Sequence, residues 1–112
     1  MMLEQRQDGS LMIVKPLERR LDAESSRYFK EQMAEIIKEG RSRILLNLSE
    51  VQFIDSSGLG TLLSLMRQLG EQGTLVLCGI AENVMSLLRL TRLNRVFQIY
   101  EDEAAAVAAL AV

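Results

Sequence analysis

Apolar positions in this chain fall into two alternating patterns: short runs bounded by Gly, Pro or Asp, which read as strands, and recurrences at three- and four-residue spacing, which read as helices. Leu11-Met12-Ile13-Val14 follows the turn-like Asp8-Gly9-Ser10, which predicts a strand after a hairpin, with residues 3–6 as its partner. Pro16 has no backbone N–H, so that strand should end there or lie at an edge. Asp22 is placed to cap a helix whose apolar residues are Phe29, Met33, Ile36 and Ile37, with Lys38 and Gly40 as its stop. Residues 43–48 are almost continuously apolar, as in an interior parallel strand buried on both faces, and this strand is predicted to be central.

A connection over residues 49–54 then leads to a second helix, with Leu59, Leu62, Leu63, Met66 and Leu69 at helical spacing and Gly70 as its end. Residues 74–78 form a β-prone run between Gly73 and Gly79. The third helix is predicted over residues 82–90, with Val84, Leu87 and Leu88 on its inner face. Residues 96–100 alternate as a strand, and Asp102 is a suitable cap for a final helix through Ala105, Val107, Ala108 and Leu110. Strands alternating with helices predict an α/β fold, with a mixed sheet that starts as an antiparallel hairpin and continues with parallel crossovers.

Composition narrows the function. At 112 residues the chain has the size of one domain, spanning 1–112, and 48% hydrophobic with 25% charged residues is the make-up of an ordinary globular protein. A net charge of −2 provides no summed positive field, so neither nucleic acid nor an anionic membrane is an expected partner. The amino-terminal stretch lacks the basic-then-apolar order of a secretory signal, and no apolar run approaches the ~20 residues of a membrane span, so a cytoplasmic location is expected. Histidine is absent, which removes the commonest general base and metal ligand; no metal site or cofactor is expected. The single cysteine, Cys78, lies in a predicted strand and reads as a small core residue. Six methionines read as adaptable packing rather than a cofactor site.

The polar residues of Phe53-Ile54-Asp55-Ser56-Ser57-Gly58-Leu59-Gly60 gather at a predicted helix start. Amides there lack intrahelical partners and the helix dipole favours negative charge, so two readings stand side by side. Asp55, Ser56 and Ser57 cap the helix, or the turn receives an anion or a phosphoryl group. A Walker loop is excluded, since no Lys adjoins a Ser or Thr in a glycine loop here. A serine-hydrolase elbow fails as well, because the order is Asp-Ser-Ser-Gly and no histidine is present to take the proton.

Asn47-Leu48, Phe53-Ile54 and the run from Asp55 to Gly60 resemble the signature of STAS-domain anti-anti-sigma factors, and the likeness continues through Gly73, residues 75–79 and Leu87-Leu88 to Leu93. The resemblance implies a single STAS domain, a mixed central sheet of four to five strands packed with about four helices. It implies that Ser56 is phosphorylated, and that Asp55, Ser57, Gly58, Leu59 and Gly60 form the phosphosite motif and contribute to partner binding. In such a switch the unphosphorylated protein binds an anti-sigma factor that is also a serine kinase and so releases a sigma factor. Phosphorylation ends the binding and a serine phosphatase restores it. The chain would then be a monomer that exchanges partners, not an enzyme. Leu59 and Met66 are candidates for the partner surface, although their spacing is first a core signal. Pro16-Leu17-Glu18-Arg19-Arg20-Leu21-Asp22 departs from the family in lacking a glycine, so the loop bordering the partner surface should differ in shape. Two other readings are a constitutive STAS scaffold subunit, with Ser56 only capping, and a nucleotide-binding module, which no glycine loop or base-stacking aromatic supports.

Overall fold

In the computed structural model, which describes residues 2–110, the predicted hairpin is formed by strands β1 (Leu3–Asp8) and β2 (Leu11–Pro16). They pair antiparallel from Leu3↔Pro16 to Asp8↔Leu11, and Gly9 makes the turn at φ +61°, a conformation that glycine adopts without steric cost. Strand β2 ends at Pro16, as its missing N–H requires. The remaining elements are β3 (Arg20–Leu21), α1 (Ala23–Lys38), β4 (Arg43–Asn47), β5 (Phe53–Ile54), α2 (Ser56–Leu69), β6 (Thr74–Cys78), α3 (Glu82–Leu90), a single 3-10 turn (Leu93–Arg95), β7 (Gln98–Tyr100) and α4 (Glu103–Leu110).

The main sheet has the order β1-β2-β4-β6-β7, parallel throughout except for the β1–β2 pair. Strand β4 is the middle one of the five, which is why it is apolar on consecutive residues. Ile44 and Leu46 point into a core shared with Phe29, Met33, Leu62 and Leu88 from α1, α2 and α3. Leu45 points the other way, with Leu11, Ile13, Val76 and Cys78, and is covered by Ala106 of α4. Side chains alternate across a strand, so a strand buried on both faces has no polar position to spare.

Three expectations need correction. The connection over 49–54 is not structureless: it contains β5, which pairs in parallel with β3 as a separate two-stranded sheet. Two residues are too few for a periodicity to register in the sequence. On α2 the innermost row is Gly58, Leu59, Thr61, Leu62 and Leu65, whereas Leu63, Met66 and Leu69 are only partly buried. That helix is apolar around more than one stripe, and its packing against α1 selects which stripe faces inward. The last strand begins at Gln98, because the chain before it is wound into the 3-10 turn and leaves Val96 exposed. Within α3, Val84 and Leu88 are buried and Leu87 only half so. Among the described residues, no helix is long and apolar enough to cross a membrane.

Candidate functional site

The two short strands β3 and β5 bring two similar turns together. Arg20 pairs with Phe53 and Leu21 with Ile54, so Asp22 and Asp55, which follow them, stand next to each other at the starts of α1 and α2. Their backbones are nearly superimposable, at φ −105°, ψ −170° and φ −105°, ψ −171°. Each aspartate turns its side chain back to the first turn of its helix. Asp22 Oδ1 accepts from the Ser25 amide at 3.2 Å, and the Ser25 hydroxyl oxygen accepts in turn from the Asp22 amide at 3.0 Å, completing a capping box. The bonds its carboxylate accepts from Ser25, from the amide first and then from the hydroxyl at 3.0 Å, hold the Asp22 carboxyl below its ordinary pKa.

Asp55 uses one oxygen for two amides, accepting from Ser57 at 2.9 Å and Gly58 at 3.1 Å. Its carbonyl takes the Leu59 amide at 3.0 Å. Among the described residues, the Ser56 amide is therefore the one in this turn without a protein acceptor, and the Ser56 hydroxyl has no partner either. Ser56 and Ser57 are exposed, and Asp55 is half-buried. The capping reading therefore holds for Asp55 alone, while Ser56 is left free. Gly58 is buried against β3, Leu59 is 9% exposed and belongs to the core, and Gly60 faces open space. Met66 is partly buried against that core.

The loop that lacks a glycine, residues 16–22, forms one wall of an open cavity of about 510 Å³ beside α1, bordered by Leu17, Arg19, Arg20, Glu24 and Tyr28. Arg20 reaches from there across to Phe53, its guanidinium carbon 4.2 Å from the ring centroid. Phe53 and Leu90 are both exposed although large and apolar, at 40% and 82%. Sequence reasoning passed over this pairing of turns. The available signal was the repeated apolar-Asp step, Leu21-Asp22 and Ile54-Asp55, each just before a helix. Among the described residues, no group of three Cys, Asp or Glu side chains is arranged to hold a metal.

The fold has known counterparts. The sequence model of the STAS domain matches residues 2–106. The chain belongs to the STAS domain family. The anti-sigma F factor antagonist of Paenibacillus polymyxa is 31% identical over 112 residues, covering 98% of this chain and 95% of that protein. Among solved structures, an anti-sigma-factor antagonist (STAS) domain protein from Planctomyces limnophilus superposes with a TM-score of 0.86 at 18% identity, covering 97% of each chain. The Bacillus cell fate determinant SpoIIAA in its phosphorylated form superposes with a TM-score of 0.72 at 19% identity, covering 97% of this chain and 99% of that one. The likeness to these two structures is one of fold. The five-stranded mixed sheet and four helices are thus those of a single STAS domain, and its sequence relatives are anti-sigma factor antagonists.

Proposed function

We infer that this STAS domain is a phosphorylation-controlled partner switch. Its unphosphorylated form binds an anti-sigma factor that is also a serine kinase, and phosphate on Ser56 ends that binding. The observation that carries this reading is the freedom of Ser56: its hydroxyl is exposed and, among the described residues, unpartnered at the first position of α2, while Asp55 performs the capping that the helix needs. The chain is substrate and ligand in this reading, not a catalyst, and with no histidine it has no ordinary base for a serine nucleophile. A cytoplasmic kinase and a serine phosphatase would set the phosphorylated fraction.

The physical basis of the switch is local. Phosphate would add roughly −1.5 to −2 charges beside the Asp55 carboxylate. In the free protein the positive end of α2 and the unused Ser56 amide lower the cost of that charge, so the fold is retained. Against a packed partner the same group would be stripped of water without a matching cation. That costs on the order of several kcal/mol, and each ~1.4 kcal/mol is tenfold in affinity. Asp55, Ser57 and Gly58 shape the turn, and the exposed Gly60 lies one helical turn further along the same surface.

The test is phosphosite mapping of the protein from its native cells, together with co-purification of wild type, Ser56→Ala and Ser56→Asp. One phosphate on Ser56, with a kinase retained by Ser56→Ala and lost by Ser56→Asp, is the expected result. An unmodified Ser56 and the same assembly with all three forms would replace the switch by a constitutive scaffold.

A further inference from the structure

Phe53 and Leu90 border a shallow apolar groove between β5 and α3, about 340 Å³ in volume, whose other walls include Ile54, Asn83, Val84 and Leu87. Ile54 and Val84 are buried beneath it, so the groove is a continuation of the core left uncovered at this edge. Its walls are tied together, because the Asn83 side-chain amide donates to the Gln52 carbonyl and joins α3 to the start of β5. Leu90 leaves 82% of its surface in water and Phe53 40%, so two large apolar side chains stand exposed on the rim of one groove.

Charge tells which partner. At one end Arg20 lies over the Phe53 ring while its Nε donates to the Asp22 carboxylate at 3.4 Å, and exposed Arg19 precedes it in the chain. Past α3, exposed Arg92 follows Leu90 by two residues. Neither Arg19 nor Arg92 is in an ion pair among the described residues. The acid of α3, Glu82, is taken up by Arg89 at 2.9 Å, and that pair borders a different cavity, with Met85 and Tyr100 on the far side of the helix. In a chain of net charge −2 this leaves an apolar groove whose neighbours along the chain include two arginines outside any ion pair, Arg19 and Arg92, besides Arg20, which is shared between Phe53 and Asp22.

We propose that this groove seats an amphipathic helical segment of the protein partner, with an apolar face on Phe53, Leu87 and Leu90 and acidic residues toward Arg19, Arg20 and Arg92. Helix-in-groove docking with complementary flanking charge is a recurrent mode of recognition. The proposal rests on the switch reading in one respect, that the partner also covers Ser56. Ile54 and Phe53 precede Ser56 by two and three residues, so a segment lying in the groove passes beside it. A phosphate there would repel the acidic flank of the segment, which gives the switch a specific electrostatic origin.

The experiment places the photo-cross-linking residue p-benzoylphenylalanine at Leu90 in the full chain in its native cells, with the same residue at Glu71, exposed beyond the far end of α2, as control. Linked peptides are sequenced by mass spectrometry. The expected result is an adduct from position 90 alone to an amphipathic segment with acidic flanks, its yield falling about tenfold or more when Arg20→Glu and Arg92→Glu are added. Loss of this adduct with Ser56→Asp supports the groove and the switch together. Its persistence with Ser56→Asp keeps the groove and removes the switch. No adduct above the Glu71 control, an adduct to a second copy of this chain or to a segment without acidic flanks, or indifference to the arginine changes overturns the proposal.

Discussion

A Cβ on Gly58 would stand 2.5 Å from the carbonyl oxygen of Leu21 and 2.8 Å from Cγ2 of Ile54, so α2 begins against β3 and β5 at a separation that only glycine permits. The obstacle is backbone, and the same Leu21 carbonyl already accepts the Asp55 amide at 3.3 Å, so it is not free to give way. This contact sets the position of the whole Asp55–Ser56–Ser57 turn.

Two glycines two residues apart should therefore answer oppositely to alanine. Gly58→Ala is expected to destabilise by about 1–3 kcal/mol, as overpacked sites do, although alanine is the better helix former. Gly60→Ala, where a Cβ meets nothing within 4 Å, is expected to stabilise by roughly 0.5–1 kcal/mol. Urea unfolding of the two variants checks the pair, and equal shifts of the same sign would refute the packing argument.

Asp55→Ala leaves the Ser57 and Gly58 amides without their acceptor and is expected to cost about 1 kcal/mol, with Asp55→Asn recovering most of it. Ser56→Ala, which breaks no protein hydrogen bond, should unfold within about 0.5 kcal/mol of wild type. Thermal unfolding of the three proteins distinguishes a capping residue from a free one.

Glu103 joins α4 to the sheet, accepting from Asn47 Nδ2 at 2.7 Å and from Arg6 Nη2 at 2.6 Å. The Asn47 bond foremost, then Arg6, holds the Glu103 carboxyl below its ordinary pKa. Its stabilisation is complete above the unfolded-state pKa and is lost as pH falls through the lower folded one. Stability measured between roughly pH 5 and pH 3 should thus decline less steeply in Glu103→Gln than in wild type. Asp22, depressed by the Ser25 bonds, keeps some slope in both proteins.

Cys78 is fully buried under α4, and its thiol is pushed up to about 11, by burial first and then by Glu103 and Asp102. Little thiolate exists near neutral pH, and a reagent cannot reach it. A chromogenic disulfide reagent at about pH 8 should find no thiol in the native protein and one per chain in denaturant. Rapid native labelling would show that α4 opens readily.

Much of the fold was legible because its signals are local. The hairpin at Gly9, the caps at Asp22 and Asp102, and the doubly buried β4 are each written in a few adjacent residues. The turn at Ser56 was legible for the same reason: Asp, Ser and Gly before an apolar helix mark a helix start whatever surrounds it. The inner row of α2 was not. Leu65 is fully buried and Met66 only partly, yet both belong to helical stripes of similar hydropathy, and the choice between them depends on where α1 lies.

The sequence by itself determined the order and type of the longer elements, the absence of a histidine for catalysis, and the Asp-Ser-Ser-Gly turn at the start of α2. Only the tertiary structure decided that Asp55 caps while Ser56 stays free, that Leu21 forbids a side chain at Gly58, and that Phe53 and Leu90 line one groove with Arg20 over the Phe53 ring. The division has a physical cause. Capping preference and hydrophobic period act within a few residues along the chain, whereas the pairing of β3 with β5 joins residues more than thirty apart, and no local pattern encodes a distance between them.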